Sequence, residues 1–489
     1  MALSPTTLTH RGLAKHSIDT FGLAMLGISA SAPMTVLVGG IVGAYAAGGI
    51  TGVPLSFLVL GVAMALFAVC YLAMSRDIPN TAAFYAFIAH GLGRTAGVAG
   101  AGVALLAYNA IQISLYGLIG AVAAGIVGGP WWAWALAFWL SVALLGVLHI
   151  QVNARVLAVV LLVQVAVVML FDLAAVTDPT SGRLDPSSLA PGNLLTNGIG
   201  GVLAFGVAAF VGFETIAVYR EEAPNHRVVV RACFVSLIFL SLFYAFTSWA
   251  MAQTAGPEGI VETARTVGQG LPFAVLEEYY GPLAGWLGQA MLITSIFAAL
   301  LSFHNVVARY VYGLAREGVL PLRLQAIGGS SDAVPIAGSL SQTVVALLTI
   351  VLFAVLEADP ILALFTWLST LAALGVLLLM VTTCLATMRY YRGRSQPGFW
   401  TRYVASFGGA VALGLILVTT IFNIDSLTNS GSNTALQWVL PVAVIVAAAV
   451  GVLWSRHLQV SQPGVFAAIG RGQPRPLAVL ERSLADLEL

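Results

Sequence analysis

Apolar residues in this chain do not alternate with polar ones. They fill continuous runs, parted by short polar connections. About twenty apolar residues in an α-helix cross the ~30 Å hydrocarbon core of a bilayer, and a helix satisfies its own backbone there. Such runs lie near residues 20–45, 53–75, 97–127, 131–149, 156–176, 197–219, 232–253, 283–308, 335–356, 361–387, 403–422 and 436–454. They predict an all-α polytopic membrane protein of twelve transmembrane helices. The third run is long enough to start before the bilayer, and the eighth to run past it on one side. Residues 1–455 form the transmembrane domain on this reading, and 456–489 a polar tail.

Composition agrees. Of 489 residues, 59% are hydrophobic and 8% charged, against roughly 25% charged in a soluble domain. The net charge of +1 leaves no electrostatic footprint for nucleic acid. Charge placement also orients the chain. With twelve spans and both termini cytoplasmic, only Arg183 and Arg265 of the 21 Lys and Arg fall outside. Positive charge stays on the cytoplasmic side, so a multi-pass plasma-membrane protein with both termini inside is predicted. The longest external loop, 254–281, carries Glu258, Glu262, Glu277 and Glu278 and is expected to fold as a short re-entrant or surface segment. The N-terminus shows no secretory signal, so the first span is expected to direct insertion. The tail's LAVLERSLADLEL stretch reads as a short amphipathic helix on the cytoplasmic face. Cys70, Cys233 and Cys384 read as small core residues, with neither disulfide nor zinc spacing.

Two runs are interrupted. In the first, Gly27-Ile28-Ser29-Ala30-Ser31-Ala32-Pro33-Met34-Thr35 places a proline mid-span, and its missing N–H takes the helical partner from the Ser29 carbonyl. In the sixth, Phe205-Gly206-Val207-Ala208-Ala209-Phe210-Val211-Gly212-Phe213-Glu214-Thr215 brackets a stretch with glycines and ends on an acid. Broken helices turn freed backbone groups toward a polar site at mid-membrane, and an ionisable group inside a span marks a functional site. The bland readings are a kink packed by small residues and a carboxylate paired within the protein. The offset of five spans matches an inverted five-helix repeat, about 17–177 and about 195–388, with two further helices at about 402–455. Other polar groups inside the runs are Tyr108, Asn109 and Gln112, Gln164, and Thr294, Ser295, Ser302, His304 and Asn305. Taken singly, these read first as interhelical hydrogen bonding.

The sixth-span element Phe210-Val211-Gly212-Phe213-Glu214, followed by Glu221-Glu222-Ala223-Pro224-Asn225, resembles a signature of the amino acid–polyamine–organocation superfamily. The stretch from Phe303-His304-Asn305 through Arg309-Tyr310, Arg316-Glu317-Gly318 and Pro321 to Val334-Pro335 resembles the end of helix 8 and the next loop in its amino acid permeases. With twelve spans, the resemblance covers nearly the whole chain. It implies a five-plus-five inverted-repeat core and a central site at the two breaks. There a substrate carboxylate meets N–H groups near Ser31, Ala32 and Pro33. Its amine meets carbonyls of Ile28 or Ser29 and of Phe210 or Val211, with Thr35, Asn109, Phe205 and Gly212 nearby. Glu214 is the candidate proton or amine partner. Three positions depart from the family. Ser31-Ala32-Pro33 replaces a G-S/A-G break. Ala208 stands where many members carry an aromatic gate, so Phe205 or Phe210 takes that part or the pocket is larger. Gln164 occupies the place of a fifth-helix lysine and cannot act as a tethered cation.

A secondary transporter for amino acids or related amines is therefore expected, working by alternating access and coupled to protons. Sodium symport or exchange of polyamines or other organic cations is the second reading. No cofactor is implied. A membrane enzyme would need convergent catalytic groups, yet the seven histidines do not cluster, and His304 has no second ligand at metal spacing. A sensor would need a signalling domain larger than this tail.

Overall fold

The computed structural model describes residues 18–147, 150–328, 334–394, 396–424 and 434–472. The predicted C-terminal amphipathic helix and most of the N-terminal polar segment lie outside them. All regular structure described is helical, apart from one isolated bridge between Gly328 and Val334. The long helices are α1 (Thr20–Gly48), α2 (Val53–Asp77), α3 (Arg94–Val127), α4 (Trp131–Leu145), α5 (Ile150–Thr177), α6 (Ile199–Glu221), α7 (His226–Gln253), α8 (Pro282–Arg316), α9 (Ile336–Val355), α10 (Pro360–Tyr390), α11 (Trp400–Phe422) and α12 (Thr434–Ser461).

Eleven of these are long and apolar enough to cross a membrane. The expected fourth span is α4, an apolar helix of 15 residues, or ~22 Å at 1.5 Å per residue, short of a full bilayer crossing. The third and eighth helices are long, at 34 and 35 residues. Three features went unread in the sequence. Helix Ala83–Leu92 precedes α3, α7 begins earlier than its apolar run at the cap Asn225, and α12 continues into the expected tail. The acidic loop 254–281 folds as two helices, Gly256–Thr266 and Leu271–Tyr280. Arg265 Nε donates to the Ala46 carbonyl at 3.0 Å, seating the first of them on the C-terminal end of α1.

Burial orders the helices. In their apolar windows α1 and α6 are 83% and 89% buried, α9 and α12 only 28%, so the two interrupted helices are central and the exposed apolar faces lie on the periphery. The α2 helix packs along α7, and α1 packs on α5, α7, α8 and the lower part of α6. Opposite them, α3 packs on α8, α10 and α12. Lipid supplies no hydrophobic drive between helices, so close backbone approach takes over. At the α3–α12 seam a Cβ on Gly451 would lie 2.6 Å from the Val98 carbonyl oxygen, and one on Gly102 equally close to that of Ala447.

Candidate functional site

The lower half of α1 ends at Ser31. Ala32 takes a left-handed conformation, φ 51° and ψ 71°, which costs a non-glycine residue about 1–2 kcal/mol. Its N–H turns back to the Ser29 carbonyl at 3.1 Å. The sequence placed the freed carbonyl at Ile28 or Ser29. Ser29 has thus found a new partner, and Ile28 is the carbonyl that loses its ladder bond. Pro33 opens the C-terminal half, where the N–H groups of Met34 and Thr35 have no preceding turn to bond. The hydroxyls of Ser29, Ser31 and Thr35 are buried and have no hydrogen-bond partner. Leaving a buried polar group unpaired costs ~1–3 kcal/mol, and these three lie on the two sides of the break.

The α6 break faces this one. The regular helix stops at Phe210, Val211 turns extended (ψ 124°), and Gly212 takes φ 124°. The chain resumes as a 3₁₀ helix from Phe213 to Glu221. A Cβ on Gly212 would lie 2.7 Å from Ala30 Cβ and 3.2 Å from the Ser31 nitrogen; only glycine lets the two breaks touch. One turn lower, a Cβ on Gly27 would lie 2.5 Å from Ile216 Cδ1. The Thr215 N–H donates to the Gly212 carbonyl, which withdraws the ladder donor from the Val211 carbonyl.

Glu214 is fully buried. Its Oε2 accepts the Gly212 N–H at 2.8 Å and its Oε1 accepts the Tyr108 hydroxyl at 3.2 Å. No cation pairs with it among the described residues. The carboxylate thus holds its own helix break open and ties it to α3.

The remaining expected residues divide. Asn109 bonds back to the Leu105 carbonyl of its own helix at 2.7 Å; Tyr108, one position earlier, is the α3 residue that reaches Glu214. Phe205 lies against Gly43 of α1. Phe210 is buried among Phe57 and Tyr244, with ring centroids 6.3 Å from each, and stands in the core. Ala208 is the only exposed residue from Ile199 to Tyr219. Gln164 is buried and donates to Thr294 Oγ1 of α8 at 3.5 Å. Two groups escaped sequence reading. Asp172, five residues before the end of α5, is 3% exposed and accepts from Thr247 Oγ1 at 2.9 Å, its other oxygen unpartnered. Gln342 of α9 donates to Gln112 of α3. Among the described residues no three His, Cys, Asp or Glu gather as a metal would require.

Two sequence motifs meet below the breaks. Arg309 pairs with Glu222 through Nε at 2.5 Å and Nη2 at 3.0 Å, and its guanidinium lies 4.9 Å over the Tyr219 ring. Arg316 grips Glu221 at 2.7 and 2.8 Å. Paired forks of this kind carry both geometry and energy. They fasten the C-terminal end of α6 to α8.

Comparison with known proteins bears on this arrangement. The methylthioribose transporter of Bacillus subtilis (strain 168) is 24% identical over 332 residues, 62% of this chain and 68% of that one. The branched-chain amino acid permease BcaP of the same organism is 24% identical over 336 residues, 63% and 68%. Among solved structures, a mutant form of a manganese transporter of Eremococcus coleocola superposes with a TM-score of 0.59 at 11% identity, over 93% of this chain and 98% of that one. The same transporter in complex with an aromatic bis-isothiourea substituted compound gives 0.58 at 12%, over 91% and 98%. These structures share the fold. Residues 18–448 match the amino acid permease family, and the chain, a multi-pass membrane transport protein, belongs to that family.

Proposed function

We propose that this protein is a secondary active transporter that moves amino acids or related amines across the plasma membrane by alternating access, coupled to protons. The observation that carries the proposal is the pair of touching helix breaks, with three unpartnered hydroxyls on one side and an uncompensated carboxylate on the other. A substrate carboxylate meets the N–H groups of Met34 and Thr35 at the start of the outer half of α1, where the helix dipole favours an anion. The ammonium meets the Ile28 and Val211 carbonyls. Ser29, Ser31 and Thr35 supply the remaining hydrogen bonds.

Glu214 is the coupling residue in this reading. It neutralises a proton or the arriving amine, and either one alters the contact that holds the α6 break to α3. The two halves of the core then act as an inverted repeat, with both termini cytoplasmic as the basic residues indicate. Because Glu214 faces no cation, an organic cation is the second substrate class. Purified protein is screened by thermal shift against amino acids, polyamines and methylthioribose, since a ligand that binds the folded state raises its melting temperature. A shift with an amino acid or amine that is lost in a Ser31→Ala, Thr35→Val variant supports the site. No shift with any of them removes the substrate assignment.

A further inference from the structure

Residues 462–472, which follow α12, stay packed on the protein. Helix Pro463–Ala468 follows at once, and Leu458, Val465 and Ile469 are buried. Phe466 lies under Arg94, whose guanidinium is 5.5 Å from the ring. Gly470 and Gly472, at φ 85° and 69°, then turn two backbone N–H groups onto one carboxylate. Gly470 donates to Glu317 Oε2 at 2.6 Å, and Gly472 to Oε1 at 2.9 Å.

Glu317 is 1% exposed and follows α8 directly. Asn80 Nδ2, just past α2, also donates to it at 2.7 Å, and the Tyr85 hydroxyl does so at 2.8 Å. Tyr85 in turn accepts from the Gly470 N–H at 3.1 Å. Burial pushes the Glu317 carboxyl above its ordinary range, against four donors that favour its anion. Its neighbour Arg316 holds Glu221 at the end of α6. One buried node therefore joins the end of α8, the segment after α2 and the chain beyond α12. It sits beside the ion pairs that fasten the C-terminal end of α6 to α8.

We infer that residues 462–472 form a strap that holds the cytoplasmic side closed, and that release of the strap opens the route from the site to the cytoplasm. The inference rests on the transporter reading. Opening that side separates Asn80 and the end of α6 from α8, which breaks the bonds around Glu317. The strap supplies two of the four donors there and abuts the Pro79 carbonyl, 3.1 Å from where a Cβ on Gly472 would stand. With the strap gone, the closed state loses those bonds and keeps a half-satisfied buried carboxyl.

The test reads access and needs no substrate. In a background with Cys70, Cys233 and Cys384 replaced by serine, Ser29→Cys reports on the floor of the site. Inside-out vesicles are treated with a membrane-impermeant maleimide. Deletion of residues 462–489 is compared with the double substitution Gly470→Pro, Gly472→Pro, which removes both N–H donors and cannot adopt the positive φ of either position. Labelling at least tenfold faster in the double variant is expected, since the closed state loses two hydrogen bonds to a charged group. Unchanged labelling in that variant, eluting as a single folded species, overturns the strap, whether or not the deletion folds. Absence of uptake by the unmodified protein would instead count against transport, and leave the labelling result standing.

Discussion

Gly212 is the residue on which the site turns. It combines φ 124° with a contact too close for any side chain, so Gly212→Ala both strains the backbone and pushes α6 from α1. Strain of this kind costs about 1–3 kcal/mol. A lower melting temperature and complete loss of uptake are expected, and a variant with normal uptake would show that the breaks need not touch. The orphaned hydroxyls behave differently. They bond nothing in the protein and are costly while unpaired, so Ser29→Ala and Thr35→Val leave the melting temperature unchanged or raise it. Each raises the KM for transport by roughly three- to tenfold, the value of one hydrogen bond. A loss of stability with unchanged KM would assign them to packing. The break that carries these hydroxyls was legible in the sequence, because Pro33 lacks the N–H that an unbroken mid-span helix needs. Tyr108 was less so. Spacing along α3 groups Asn109 with Gln112, but the Asn109 amide satisfies its own helix, and only the fold shows which neighbour reaches Glu214.

Among the helices, hydrophobic runs located the spans well, because lipid imposes one length and one backbone solution. They failed where that constraint lapses. Helix α4 is short, Ala83–Leu92 lies between spans, and α7 starts at a polar cap ahead of its apolar run. None of these is written in hydrophobicity alone. The joining of α6 to α8 was likewise invisible, although both motifs were read, since sequence does not say that Glu222 meets Arg309. That pair is nearly fully buried, with side-chain exposures of 1% and 3%. Removing one member strands a buried charge, at ~3–5 kcal/mol. Arg309→Ala is therefore expected to lower stability steeply, and Arg309→Ala with Glu222→Ala to recover part of the loss in a double-mutant cycle. Additive losses would mean that the two residues act separately.

For the molecule as a whole, the placement of basic residues sets its orientation in the proposed account. The 19 Lys and Arg assigned inside, against Arg183 and Arg265 outside, predict that epitope tags at both ends react only after cells are permeabilised. A tag reactive on intact cells would reverse the assignment for that end. Inward and outward states differ, on this reading, by whether α6 and the segment after α2 stay fastened to α8, while proton and substrate meet at Glu214 between the breaks. The most direct measurement is uptake of a radiolabelled amino acid or amine, chosen by thermal shift, into proteoliposomes with and without an inward proton gradient. The unmodified protein is predicted to accumulate substrate several-fold above the external level only when the gradient is present. Glu214→Gln should still bind but no longer accumulate. Absence of uptake for every ligand that binds, or gradient-driven accumulation as strong in Glu214→Gln as in the unmodified protein, would contradict it.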